Sequence, residues 1–154
     1  MTEKEQKYRQ LERELTALVE GEGDITAVLA NASALLRNIF HFFWVGFYIV
    51  KGRNLVLGPF QGDIACYRID YGRGVCGKAW EQRKTLIVDD VEKFPGHIAC
   101  SSLSRSEIVV PLAMHDGTIK GVLDVDSTHN ADFDLTDKQG LETAARIITD
   151  VLWN

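Results

Sequence analysis

Asp116-Gly117 stands between two apolar, β-branched runs, Ile108–His115 and Thr118–Asp126, and constrains the fold more than any other part of this 154-residue chain. Asp-Gly tolerates the left-handed backbone of a tight turn, so the two runs predict a β-hairpin. A two-residue loop pairs His115 with Thr118, which sets Val109 opposite Asp124 and Glu107 opposite Asp126. Asp124 and Asp126 are two apart on one strand, so they share a face of the sheet, and Glu107 joins them there. Acids on a strand ordinarily mark a solvated outer face, because three neighbouring carboxylates repel one another. Here Glu107 opens its strand directly after a loop that holds Cys100. The acids and that thiol are therefore expected at the same end of the hairpin. A packed acidic cluster suits an ammonium group as ligand, and it keeps at least one carboxyl protonated near pH 7, able to donate a proton.

The rest of the chain supplies helices and further strands. Tyr8, Leu11, Leu15 and Leu18 have helical spacing, broken at Gly21-Glu22-Gly23. Asp24 predicts an N-cap for a second helix whose inward face carries Ile25, Val28, Leu29, Ala32, Leu36 and Ile39. Phe42–Val50 reads as a strand, and Leu55–Leu57 as a second one ended by Gly58-Pro59. Tyr71–Gly77 reads as a glycine turn entering a short helix toward Trp80, and Thr85–Val88 as a short strand. Thr136 and Gln139 form a capping-box pattern before a last helix with Leu141, Ala144, Ala145, Ile148 and Leu152 inward. This order predicts one α+β domain spanning residues 1–154, with a central antiparallel sheet, N- and C-terminal helices on one face, and a loop-rich side.

Composition narrows the class. An apolar fraction of 45% and a charged fraction of 25% are those of a soluble globular domain. A formal net charge of −5, with no Lys/Arg run, argues against nucleic acid as partner. The charged N-terminus lacks the apolar stretch of a signal peptide, and the longest apolar run is about half of the ~20 residues a membrane span needs. A cytoplasmic protein with reduced thiols is expected. Its cysteines, Cys66, Cys76 and Cys100, are odd in number and cannot close into disulfides completely. They read either as buried inert thiols or as redox or metal-binding groups. His97 lies three residues before Cys100, but no Cys-x-x-Cys pair exists, so no metal is expected. Trp44 and Tyr48, four apart on a strand, point the same way and read as core aromatics or as an apolar slot with room over Gly46.

Several of these segments, in order, resemble the free methionine-(R)-sulfoxide reductases, stand-alone GAF-domain enzymes. They are Trp44-Val45-Gly46-Phe47-Tyr48, Leu57-Gly58-Pro59-Phe60-Gln61-Gly62, Gly72–Gly77, Gly96-His97-Ile98-Ala99-Cys100, Ser106–Leu112 and Gly121–Ser127, together with the three cysteines at their spacing. The likeness spans essentially the whole chain. One departure is Ser101, where the family commonly has Asp. The resemblance implies a GAF fold, Cys100 as nucleophile, Cys66 as the main resolving thiol and Cys76 as an auxiliary thiol. It further implies that Glu107, Asp124 and Asp126 bind substrate and assist proton delivery, and that Trp44 and Tyr48 line the methyl-sulfoxide end. No cofactor is implied beyond an external dithiol, thioredoxin, and family members are often homodimers. A different reading of the same fold is a GAF module that binds a small molecule and signals without chemistry.

Overall fold

The computed structural model describes all residues, 1–154. Its elements in chain order are helices α1 (Glu3–Val19) and α2 (Ile25–Phe40), strands β1 (Trp44–Lys51), β2 (Asn54–Gln61) and β3 (Arg68–Asp70), and helix α3 (Gly74–Gln82). Strands β4 (Leu86–Val88), β5 (Ser106–Ala113) and β6 (Ile119–Ser127) and helix α4 (Leu135–Leu152) complete the chain. The six strands form one antiparallel sheet in the order β3-β2-β1-β6-β5-β4. No helix is long and apolar enough to cross a membrane.

Side-chain alternation divides the sheet between two cores. Val45, Phe47, Ile108, Val110, Leu112, Leu123 and Val125 face helices α1, α2 and α4 in the larger core. Trp44, Tyr48, Val109 and Val122 face the other way, toward α3, in a smaller one. Each fully buried Leu or Ile in the larger core contributes roughly 1.5–3 kcal/mol. Helix α1 is tied to α4 by a buried polar node. The Tyr8 hydroxyl donates to Asp137 Oδ1 (2.7 Å) and Lys4 Nζ lies 2.8 Å from Asp137 Oδ2. Leu18 is exposed and Val19 takes its expected inward place, since Val19 continues the i, i+4 row from Leu11 and Leu15. Asp24 caps α2 by accepting from Ala27 N–H (2.9 Å), as expected. Helix α4 begins differently: its capping box is Asp134 with Asp137, not Thr136 with Gln139. Leu152 is only half-buried there.

Two further differences lie in the sheet. Strand β2 runs through Gly58-Pro59, because Phe47 faces both residues in a bulge and β3 pairs only with positions 54–56. Proline then deprives no neighbouring strand of a hydrogen bond. The β5–β6 connection is a three-residue loop, in which Met114 N–H donates to Thr118 and Gly117 N–H to Met114, with Gly117 at φ 91°. Ala113 pairs with Ile119 but Leu112 with Gly121, so Lys120 is bulged. The bulge shifts the register back, and the pairs Val109–Asp124 and Glu107–Asp126 stand as expected.

Candidate active site

The pocket lies on the α3 side of the sheet. Strand β1 supplies Trp44 and Tyr48, β5 supplies Glu107, β6 supplies Asp124 and Asp126, the N-terminal turn of α3 supplies Cys76, and the 96–104 loop supplies Cys100. All seven line one cavity with room of about 50 Å³, enough for a few waters. Cys66 alone among the expected residues does not line it. Cys66 is nevertheless joined to the site, because it is disulfide-bonded to Cys100, with the two Cα atoms 5.4 Å apart. Cys76 is the free thiol and is buried.

Glu107 and Asp124 are almost wholly buried. One oxygen of each lies within 4.8 Å of the other and of Cys76 Sγ, and the Cys76 thiol donates to Glu107 Oε2 at 3.9 Å. Burial raises the Glu107 carboxyl well above the usual carboxylate range, and the charges of Asp124 and Asp126 raise it further. Asp126 is likewise raised by burial and then by Asp124. Burial raises Asp124 too, opposed by hydrogen bonds with Glu107 and Cys76. Burial and mutual repulsion thus oppose ionising all three groups together and favour a shared proton among them. Asp124 Oδ1 is buried with no hydrogen-bond partner in the protein, an unpaired acceptor on a residue that lines the pocket. Cys76, Glu107 and Asp124 are close enough to share a cation, but protons held by the raised groups compete for the same oxygens.

The aromatic pair does more than form a wall. Trp44 and Tyr48 stack with ring centroids 6.1 Å apart, and Phe60 stacks on Trp44 at 5.2 Å. The expected space over Gly46 is filled by strand β2 rather than left for a ligand: an added Cβ would lie 2.8 Å from Phe60 Cα and 2.9 Å from the Pro59 carbonyl. Both polar tips hold the Cys66 segment. Trp44 Nε1 donates to the Asp63 carbonyl (3.0 Å) and the Tyr48 hydroxyl to the Cys66 carbonyl (3.0 Å). Ser101 Oγ accepts from Leu103 N–H (3.2 Å), so the residue in place of the common Asp still braces the Cys100 loop.

Ile64, Ile98 and His97 are among the other residues that line the pocket. Burial lowers the His97 pKa, which leaves a neutral imidazole at pH 7. These residues sit in the irregular loops beside Cys66 and Cys100. Adjacency to those cysteines was the one sequence signal that could have found them.

A GAF-domain family model matches residues 23–152. A GAF domain-containing protein A from Dictyostelium discoideum is 57% identical over 146 residues, covering 94% of this chain and 92% of that protein. A free methionine-R-sulfoxide reductase from Escherichia coli (strain K12) is 47% identical over 146 residues, covering 94% and 88%. The X-ray structure of the free methionine-R-sulfoxide reductase from Neisseria meningitidis in complex with its substrate superposes with a TM-score of 0.94 at 50% identity, covering 98% of this chain and 91% of that one. The chain belongs to the GAF-domain free methionine-R-sulfoxide reductases.

Proposed function

We propose that this protein, acting as a single domain over residues 1–154, reduces free L-methionine-R-sulfoxide to L-methionine. The observation that carries the reading is a Cys66–Cys100 disulfide whose Cys100 half lines a buried three-carboxylate pocket. A sulfoxide sulfur becomes electrophilic when its oxygen accepts a proton, and a protonated member of the Glu107/Asp126 pair supplies it. The Cys100 thiolate attacks that sulfur, the oxygen passes to Cys100 as sulfenic acid, and methionine leaves. The Cys66 thiol then displaces the oxygen as water, forming the disulfide seen in the structure. Two electrons and two protons from an external dithiol, thioredoxin, restore both thiols.

Selectivity for the free amino acid follows from the acids. Asp124 Oδ1, buried and unpartnered, accepts from the α-ammonium, which a peptide-bonded residue lacks. The stacked Trp44 and Tyr48 rings line the methyl-sulfoxide end. Cys76 enters as an auxiliary thiol that hydrogen-bonds Glu107. The cycle uses no prosthetic group or metal. It suits the reducing cytoplasm, and the enzyme is taken as a homodimer, which light scattering at twice the chain mass checks.

Single-turnover methionine release tests the assignment. Cys100→Ser is expected to abolish release even with dithiothreitol. Cys66→Ser is expected to retain one turnover while losing thioredoxin-dependent cycling. Release by Cys100→Ser at the wild-type rate overturns it.

A further inference from the structure

Four of the eight exposed large apolar residues fall within two short loops around the disulfide. Ile64 (90% exposed) and Tyr67 (75%) bracket Cys66, and Ile98 (37%) and Leu103 (54%) bracket Cys100. Apolar side chains this exposed carry a solvation cost, and their concentration at one bond marks an interaction surface. The bond identifies the occupant. A disulfide that forms in each turnover must be opened again, and only a partner carrying a thiolate can do so by exchange.

Resting on the reductase reading above, we propose that Tyr67 and Leu103, with the outer edges of Ile64 and Ile98, form the docking surface for a dithiol oxidoreductase, and that Cys66 is the sulfur it attacks. The two sulfurs are not equivalent. Cys100 lines the acid pocket, among Glu107, Asp124 and Asp126, whereas Cys66 does not. Both cysteines are half-buried, but a thiolate at the pocket side of Cys100 meets three acids in a cavity with room for a few waters. Cys66 lies instead between the two most exposed apolar side chains of the patch, Ile64 and Tyr67. The partner thiolate bonds to Cys66 Sγ, the Cys66–Cys100 bond breaks, and its electron pair leaves on Cys100 as a thiolate. The partner's second thiol, as thiolate, then attacks the partner sulfur bonded to Cys66; the partner's disulfide forms, the mixed disulfide breaks, and the released Cys66 thiolate takes up a proton. The nucleophile is thus regenerated first, inside the pocket and clear of the partner. Tyr48, donating to the Cys66 carbonyl at 3.0 Å, tethers the Cys66 backbone during exchange.

The test uses the oxidised full-length protein without any sulfoxide, so that it is independent of catalysis. Thioredoxin with its second active-site cysteine replaced by serine is added, and the trapped mixed disulfide is mapped by peptide mass. Attachment to Cys66, with Cys100 free to alkylate, is expected. Attachment to Cys100, or no adduct together with no reduction by intact thioredoxin, overturns the proposal. In parallel, Tyr67→Asp and Leu103→Asp are expected to slow reduction by thioredoxin at least tenfold, with the dithiothreitol rate unchanged within twofold. Equal slowing by both reductants, or none by either, overturns the docking surface. Failure of the reductase reading shows separately, as no methionine release with dithiothreitol.

Discussion

Reduction of the Cys66–Cys100 bond removes a cross-link between residues 34 apart in the chain. In the chain-entropy description, closing a loop of that span takes from the unfolded chain a freedom worth about 4 kcal/mol at 25 °C. Unfolding of a chain this long has an entropy of roughly 0.3 kcal/mol/K, so the oxidised protein is expected to melt about 12 °C above the reduced one. The folded state gives little of this back. Trp44 and Tyr48 hold the Cys66 segment through the Asp63 and Cys66 carbonyls, and neither bond needs the disulfide. The fold therefore survives each half of the cycle, and the lost stability is the loss of a constraint on the unfolded chain. Differential scanning calorimetry of both forms at one pH measures it, with the Cys66→Ser/Cys100→Ser double variant as a reduced-state reference. A difference of about 8–16 °C agrees with the loop-length reasoning. A reduced form melting within about 3 °C of the oxidised one, or above it, refutes that reasoning.

Further expectations follow from the acid cluster and the groups around it. A carboxyl whose folded pKa lies above its unfolded value favours the fold fully below the unfolded pKa and loses that contribution as pH rises toward the folded one. Stability should thus fall as pH climbs above the ordinary carboxyl value of 4.5 for Glu107, and Glu107→Gln should flatten that slope in thermal melts. Turnover should fall on the alkaline side as the same raised group loses its proton, read as kcat against pH. Cys76, buried and pushed up by burial and then by the neighbouring acids, should resist iodoacetamide in the native reduced protein while Cys66 and Cys100 react; mass mapping reads the three sites. Tyr48→Phe removes the bond to the Cys66 carbonyl, worth about 0.5–1.5 kcal/mol, and should slow disulfide closure after sulfenic acid formation roughly 2- to 12-fold in a quenched time course.

The acidic pocket was legible because it depends on strand periodicity and pairing, both local properties of the β5–β6 hairpin. The expected register held for a reason the sequence did not display: a three-residue loop in place of two, offset by the bulge at Lys120. A bulge follows from sheet twist rather than residue type, so nothing at Lys120 announced it. Strand β3 was illegible because it is a three-residue edge strand, paired only with β2, and carries one buried side chain, Ile69. Pro59 signalled a strand end, yet the missing N–H falls where β2 has no outer partner. The roles of Tyr48 and Trp44 as clamps on the Cys66 segment were hidden too. Their acceptors are backbone carbonyls 18 and 19 residues away, which any sequence presents alike. The side of the disulfide facing the pocket is a property of loop packing, and no spacing between Cys66 and Cys100 encodes it.

Methionine release from free L-methionine-R-sulfoxide, beside the S epimer and a peptide-bound sulfoxide and with thioredoxin supplying electrons, tests the central claim most directly. Turnover of the free R epimer alone is expected, with the acid pocket as the origin of the selectivity. No turnover of any substrate, while Cys66, Cys76 and Cys100 all titrate as reduced thiols, contradicts it and leaves a GAF module that binds a small molecule without transforming it.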